Sequence, residues 1–135
     1  MRAGQARCDA VCAMSLRCLI VDNSALFREE ARSLLEQEGV SVVGVAGSGE
    51  EAVRLARALG PQVALVDISL GAESGFDVAR RLADSSNGDA PAVIFVSTYD
   101  EGEFRGRIEA SSARGFIAKT ELSAERIRRL LASAT

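Results

Sequence analysis

The sequence predicts an α/β fold: a doubly wound, five-stranded parallel sheet in the flavodoxin-like order 2-1-3-4-5, built from alternating (βα)5 units. Three observations predict it. Short, almost wholly apolar runs of four to six residues recur along the chain. Each is followed by a longer stretch whose apolar residues return at three- and four-residue spacing, the period of a helix with one buried face. Gly, Pro or clustered polar residues punctuate most of the changes from one pattern to the other. Buried strands alternating with amphipathic helices are the pattern of repeated βα units around a parallel sheet.

The first run is Cys18-Leu19-Ile20-Val21, followed by a segment in which Phe27, Ala31, Leu34 and Leu35 share one face. Ser24 is placed to cap that helix and Gly39 to end it. A second run, Val40 to Val45, passes through a Gly-Ser-Gly turn into a helix from about Glu50, with Ala52, Val53, Ala56 and Leu59 inward and Gly60-Pro61 as its stop. The third run, Val63-Ala64-Leu65-Val66, has no polar residue, as a central strand covered on both faces requires. Its helix is expected over about Gly75 to Ala83, with Asp84 to Asp89 as a polar loop. Ala92-Val93-Ile94-Phe95-Val96 forms the fourth run, and a weaker helix carrying Phe104 and Ile108 follows. Gly115-Phe116-Ile117-Ala118 leads to a last helix with Ile127, Leu130 and Leu131 inward. Residues 1–15 carry neither period and are read as an unstructured leader before a domain over 16–133, with Met14 an alternative start.

Composition narrows the function. A chain of 135 residues with 47% hydrophobic residues is one domain's worth of ordinary globule. Its 16 basic and 19 acidic side chains leave a net charge of −3 without a basic block, which disfavours direct binding to nucleic acid or an anionic membrane. No apolar run nears the roughly 20 residues that span a bilayer, and the leader lacks the apolar centre of a signal peptide, so membrane insertion is not expected and a cytoplasmic location is. The absence of histidine removes the usual serine and cysteine triads and the commonest zinc ligand. Cys8, Cys12 and Cys18 are therefore read as free thiols, Cys18 as a small hydrophobe in a strand.

The chemistry lies where the apolar runs end. Asp22 follows the first, Asp67 the third, Ser97 the fourth and Lys119 the fifth. Open parallel sheets bind ligands beyond the carboxyl ends of their strands, and the order 2-1-3-4-5 sets the third strand between the first and fourth. With strands about 4.8 Å apart, Asp22 and Ser97 flank a central Asp67, while Lys119 reaches in from about 10 Å away. Two carboxylates without histidine suit Mg²⁺. Lysine balances phosphate charge, a hydroxyl can bond a phosphoryl oxygen, and a carboxylate can itself become an aspartyl phosphate. Phosphoryl transfer depends mainly on positioning and charge neutralisation, so this inventory suffices.

Leu-Ile-Val-Asp22-Asn, Ala-Leu-Val-Asp67-Ile-Ser-Leu with Gly75 beyond it, Val-Ser97-Thr and Gly-Phe116-Ile-Ala-Lys119 resemble the landmark segments of response-regulator receiver domains. The resemblance runs in order from about Arg17 to Ala132. It implies that Asp67 accepts a phosphoryl group from a sensor histidine kinase or phosphotransfer protein. It implies further that Asp22, Asp67 and the backbone carbonyl of Ser69 hold Mg²⁺, with Asn23 a further candidate ligand, and that Ser97 and Lys119 meet the phosphoryl group. Ser97 and Phe116 take the positions of a hydroxyl and aromatic switch that reshapes a partner-binding surface. The protein is then a phosphorylation switch of two-component signalling acting through an unknown downstream partner, not an enzyme beyond its own phosphotransfer and dephosphorylation.

Three positions depart from the family pattern. Asn23 stands where a second acidic residue is usual, leaving one negative charge fewer for Mg²⁺. Thr120 stands where a cis proline is usual; a non-proline cis bond costs about 3 kcal/mol, so a trans bond is expected. Phe116 lacks the hydroxyl of the commoner tyrosine. Asn23 motivates one alternative, a pseudo-receiver that binds its partner whatever its phosphorylation state. Another is a Mg²⁺-dependent phosphohydrolase with an aspartyl-phosphate intermediate, weakened by Ser24 standing where a second aspartate is needed. Gly44, Gly47 and Gly49 suggest a phosphate loop, but Glu50-Glu51 in place of Lys-Ser/Thr makes a simple turn the better reading. Phe104 and Ile108 are expected to pack inward.

Overall fold

The computed structural model describes residues 16–85, 90–98 and 104–132. The leader, with Met14, Cys8 and Cys12, and most of the Asp84 to Asp89 loop lie outside them. The main sheet consists of β1 (Arg17–Val21), β2 (Ser41–Ala46), β3 (Val63–Asp67), β4 (Ala92–Ser97) and β5 (Gly115–Ala118), in the spatial order β2-β1-β3-β4-β5, all pairs parallel. Between and after them lie α1 (Ala25–Gln37), α2 (Gly49–Leu59), α3 (Gly75–Ser85), α4 (Arg105–Ala110) and α5 (Ala124–Ala132). The expected doubly wound order is therefore the observed one.

Alternation along the strands divides the core. Leu19, Val21, Ala64, Val66, Val93 and Phe95 face α2, α3 and α4, meeting Ala52, Ala56, Phe76, Val78, Leu82 and Ile108. Cys18, Ile20, Val63, Leu65, Ile94 and Val96 face α1 and α5, meeting Ala31, Leu35 and Ile127. A sheet covered on both sides needs apolar side chains at successive positions, which is why β3 reads as an unbroken apolar run. Cys18 is a free thiol in this core, and burial pushes its pKa up to about 12. It packs as a hydrophobe and is poorly suited to react. Phe104 and Ile108 also turn inward: Ile108 is buried, and the Phe104 ring lies 6.3 Å from that of Phe76.

The helix ends follow local chemistry. Ser24 Oγ accepts the Phe27 N–H at 3.2 Å and starts α1. Gly60, at φ 58°, ends α2 in the left-handed conformation that glycine adopts without steric cost. In the Gly-Ser-Gly turn, the Gly47 N–H donates to Glu51 Oε1 at 2.9 Å, so a carboxylate occupies the place a phosphate would need.

Three details correct the sequence reading. α3 continues through Asp84 and Ser85, two residues into the expected loop, because no helix breaker stands before Asn87-Gly88. Ser69–Leu70 and Glu73–Ser74 pair as a small antiparallel hairpin beside the main sheet. Its two-residue turn has Gly71 at φ 67°, the signal that could have found it. Lys119–Glu121 forms a turn of 3-10 helix, and no cis peptide bond occurs among the described residues, Thr120 included.

Candidate functional site

The sheet register brings the predicted residues to one edge. Val21 pairs with Val66, so Asp22 and Asp67 are the next residues on two adjacent strands. Asp67 pairs with Val96, one residue before Ser97, and Ser97 pairs with Ala118, one residue before Lys119. All four therefore stand at the carboxyl ends of their strands, where a doubly wound sheet opens its crevice.

Their burial is unusual for polar side chains: Asp22 is 0% exposed, Asp67 6% and Ser97 1%. Such groups are retained in folded proteins when paired or hydrogen-bonded. The Lys119 ammonium lies 2.6 Å from Asp22 Oδ2 and 3.1 Å from Asp67 Oδ2, spanning from β5 across to β1. Beneath it the Phe27 ring centroid is 4.3 Å from Nζ, a cation–π contact that α1 supplies. The other carboxylate oxygens are tied by backbone: Asp22 Oδ1 accepts the Ser24 N–H at 2.8 Å, and Asp67 Oδ1 accepts the Ser69 N–H at 3.1 Å. Arg28 Nη1 donates to the Asp22 carbonyl at 2.6 Å, fixing the end of β1.

The electrostatics follow from two carboxylates sharing one ammonium. Burial, followed by the Asp22 charge, raises the Asp67 pKa against the lowering effects of the Ser69 N–H and Lys119. For Lys119, burial is the largest single influence and acts downward, but its contacts with Asp22 and Asp67 together outweigh it and the pKa is raised. The lysine is therefore charged at neutral pH.

A hard divalent cation fits this chemistry. Among the described residues the buried Asp22 Oδ2 meets the Lys119 ammonium at 2.6 Å and makes no hydrogen bond of good geometry. A metal at this oxygen would take over charge balance that the ammonium now supplies. Among the described residues no group of three His, Cys, Asp or Glu gathers, so two carboxylates need carbonyl, amide and water oxygens to complete an octahedron. Asn23 is exposed beside the hairpin turn, where a Cβ on Gly71 would lie 3.3 Å from its Nδ2. Ser69, also exposed, belongs to the hairpin's first strand. Phe116 is half-buried, in register with Phe95, and packs against the core on the α2–α3–α4 side.

Residue spacing gave no sign of three participants: Phe27 under the ammonium, Arg28 on the Asp22 carbonyl, and Glu73, whose carboxylate ties the hairpin to α2 and α3. Each acts through a side-chain contact between separate elements, which the apolar period along the chain does not encode.

The fold and this acidic, lysine-bridged crevice define a class, the doubly wound α/β domain with a polar site at the carboxyl ends of its strands. The sequence signature of the response regulator receiver domain matches residues 18–132, and the chain belongs to that family of two-component signalling proteins. It is 32% identical over 111 residues to the transcriptional regulatory protein PdtaR of Mycobacterium tuberculosis, covering 82% of this chain and 53% of that protein. To the response regulator GacA of Pseudomonas viridiflava it is 35% identical over 105 residues, covering 77% and 48%. The chain thus spans about half the length of these relatives. Among solved structures, the signal receiver domain of a modulated diguanylate cyclase from Desulfovibrio desulfuricans G20 is similar at a TM-score of 0.73 and 36% identity, over 89% of this chain and 93% of that one. No helix among the described residues is long and apolar enough to cross a membrane.

Proposed function

We propose that this protein is a phosphoacceptor response regulator in which Asp67 takes a phosphoryl group from a histidine kinase or phosphotransfer protein in the cytoplasm. The observation that carries this is the bridge from Lys119 to the nearly buried Asp67 and Asp22 at 3.1 and 2.6 Å. With Oδ1 tied to the Ser69 N–H, Oδ2 is the attacking oxygen. It bonds to phosphorus as the bond from phosphorus to the donor nitrogen breaks, and the leaving imidazole takes a proton from solvent. Lys119 then shifts from the carboxylates toward the phosphoryl oxygens, the Ser97 hydroxyl donates to one of them, and no separate general base is needed.

Asp22, Asp67 and the Ser69 carbonyl would hold Mg²⁺, with Asn23 contributing its amide oxygen; when bound, the metal neutralises charge on the transferring group. Phe116, half-buried beside Phe95, follows Ser97 inward and alters the surface offered to a downstream protein. An apolar rim of Leu26, Phe27, Leu34 and Leu122 borders Lys119. Leu26, 67% exposed, is the large hydrophobic side chain that stands out there and suits contact with a donor protein.

Incubation with Mg²⁺ and a small acyl phosphate should label the wild type and leave Asp67→Asn unlabelled; equal labelling refutes the assignment. Asn23, a neutral residue at the crevice mouth, favours a second reading as a phosphorylation-independent interaction module. Partner binding unchanged by beryllofluoride would select it.

A further inference from the structure

The segment after β3 carries both the Ser69 N–H that holds Asp67 Oδ1 and, on the paired strand of the same hairpin, Glu73. The Glu73 carboxylate is engaged at both oxygens. Oε1 accepts the Gly49 N–H, the first donor of α2, at 2.7 Å, and Oε2 meets Arg81 Nη1 of α3 at 3.2 Å. An acidic group at a helix N-terminus is favoured by the unpaired N–H groups and dipole there. Residue 49 must be small for this arrangement: a Cβ on Gly49 would lie 2.6 Å from Glu73 Oε2 and 2.8 Å from Val78 Cγ2. Ser48 already caps the same helix by accepting the Glu51 N–H at 3.2 Å. Glu73 therefore adds something besides a cap: it ties the hairpin to two helices.

We infer that Glu73 is a positioning residue for phosphoryl acceptance, acting through Ser69. The clasp on α2 and α3 fixes the hairpin; the hairpin fixes the Ser69 N–H; that N–H holds Oδ1 and leaves Oδ2 aimed at Lys119. This inference rests on Asp67 being the phosphoacceptor. Leu70 anchors the first strand of the hairpin in the core, so the clasp acts on its second strand and turn, and a pair of two-residue strands has little stability of its own to resist their movement.

The test compares Glu73→Ala, Glu73→Gln and Ser48→Ala in two measurements. One is the rate of labelling by a small acyl phosphate with Mg²⁺. The other is hydrogen exchange of the Ser69 amide in unphosphorylated protein. Glu73→Ala should slow labelling by roughly fivefold or more, because misplacing a reacting group is costly, and speed Ser69 exchange by about tenfold. Glu73→Gln keeps an oxygen for the Gly49 N–H but turns an amide donor toward the Arg81 guanidinium, so it should fall between wild type and Glu73→Ala in both. Ser48→Ala weakens the same helix start and should lower the melting temperature with both readings unchanged. Wild-type rate and exchange in Glu73→Ala, or an equal effect of Ser48→Ala on both readings, would overturn the inference. If wild type itself takes no label, the phosphoacceptor reading fails, while Ser69 exchange still decides whether the clasp exists.

Discussion

At the scale of residues, Asp67 is held in a state that costs stability when charged. Burial and the Asp22 charge raise its pKa above the ordinary 3.8, and Ser69 and Lys119 compensate only in part. A carboxyl raised in the native state binds protons there more readily than in the unfolded chain, so its unfavourable contribution is present above the native pKa and is relieved as pH falls through it toward 3.8. Asp67→Asn should therefore be more stable than wild type at neutral pH in EDTA. The advantage should shrink as pH is lowered through that window. Urea midpoints at a series of pH values measure it, and an advantage that is constant or grows on acidification contradicts the sign. Lys119 adds no slope there, because its raised pKa affects stability only at high pH, where the ammonium is lost.

At the scale of elements, the passage from β3 to α3 is the tightest in the molecule's site. A Cβ on Gly75 would lie 2.1 Å from the Asp67 carbonyl oxygen and 2.8 Å from the Ile68 Cα, and the Gly75 N–H donates to the Ile68 carbonyl at 2.6 Å. These neighbours are backbone and cannot swing aside. Gly75→Ala should cost about 1–3 kcal/mol, as overpacking does, and slow labelling of Asp67 as well. Gly115→Ala makes the contrast: its Cβ would meet the flexible end of Leu130 at 2.8 Å, so denaturation should shift less. Equal losses at the two glycines would refute the distinction. The need for glycine at 75 was visible in the sequence only through the family pattern; the contact that imposes it was not, because it joins a helix start to a strand end by a turn of irregular geometry.

At the scale of the whole molecule, the sheet is held by two separate apolar layers, one with α2, α3 and α4 and one with α1 and α5. Both are needed to keep the crevice edge in register. Leu82→Ala on the first face and Ile127→Ala on the second should each cost about 2–5 kcal/mol, as large-to-small core changes do, with unfolding still a single transition. Separate transitions for the two faces, followed by circular dichroism and hydrogen exchange, would show that the layers are independent. The chain belongs to the receiver-domain family and spans about half the length of PdtaR and GacA.

The sequence by itself determined the alternating elements, their apolar faces and the four polar residues at strand ends, because period is a local consequence of side-chain pattern; the strand order was expected from the arrangement such βα repeats commonly take, and the structure has it. The sequence placed Lys119 within reach of Asp67, and its contact with Asp22 as well emerged only in three dimensions. The Glu73 clasp, the Phe27 ring beneath the ammonium and the Arg28 bond to the Asp22 carbonyl were likewise decided by tertiary structure. Spacing along the chain predicts none of these contacts: 24 residues separate Gly49 from Glu73 and 6 separate Asp22 from Arg28. The packing of helices, hairpin and strand ends together sets such contacts, and a pattern read along one chain cannot.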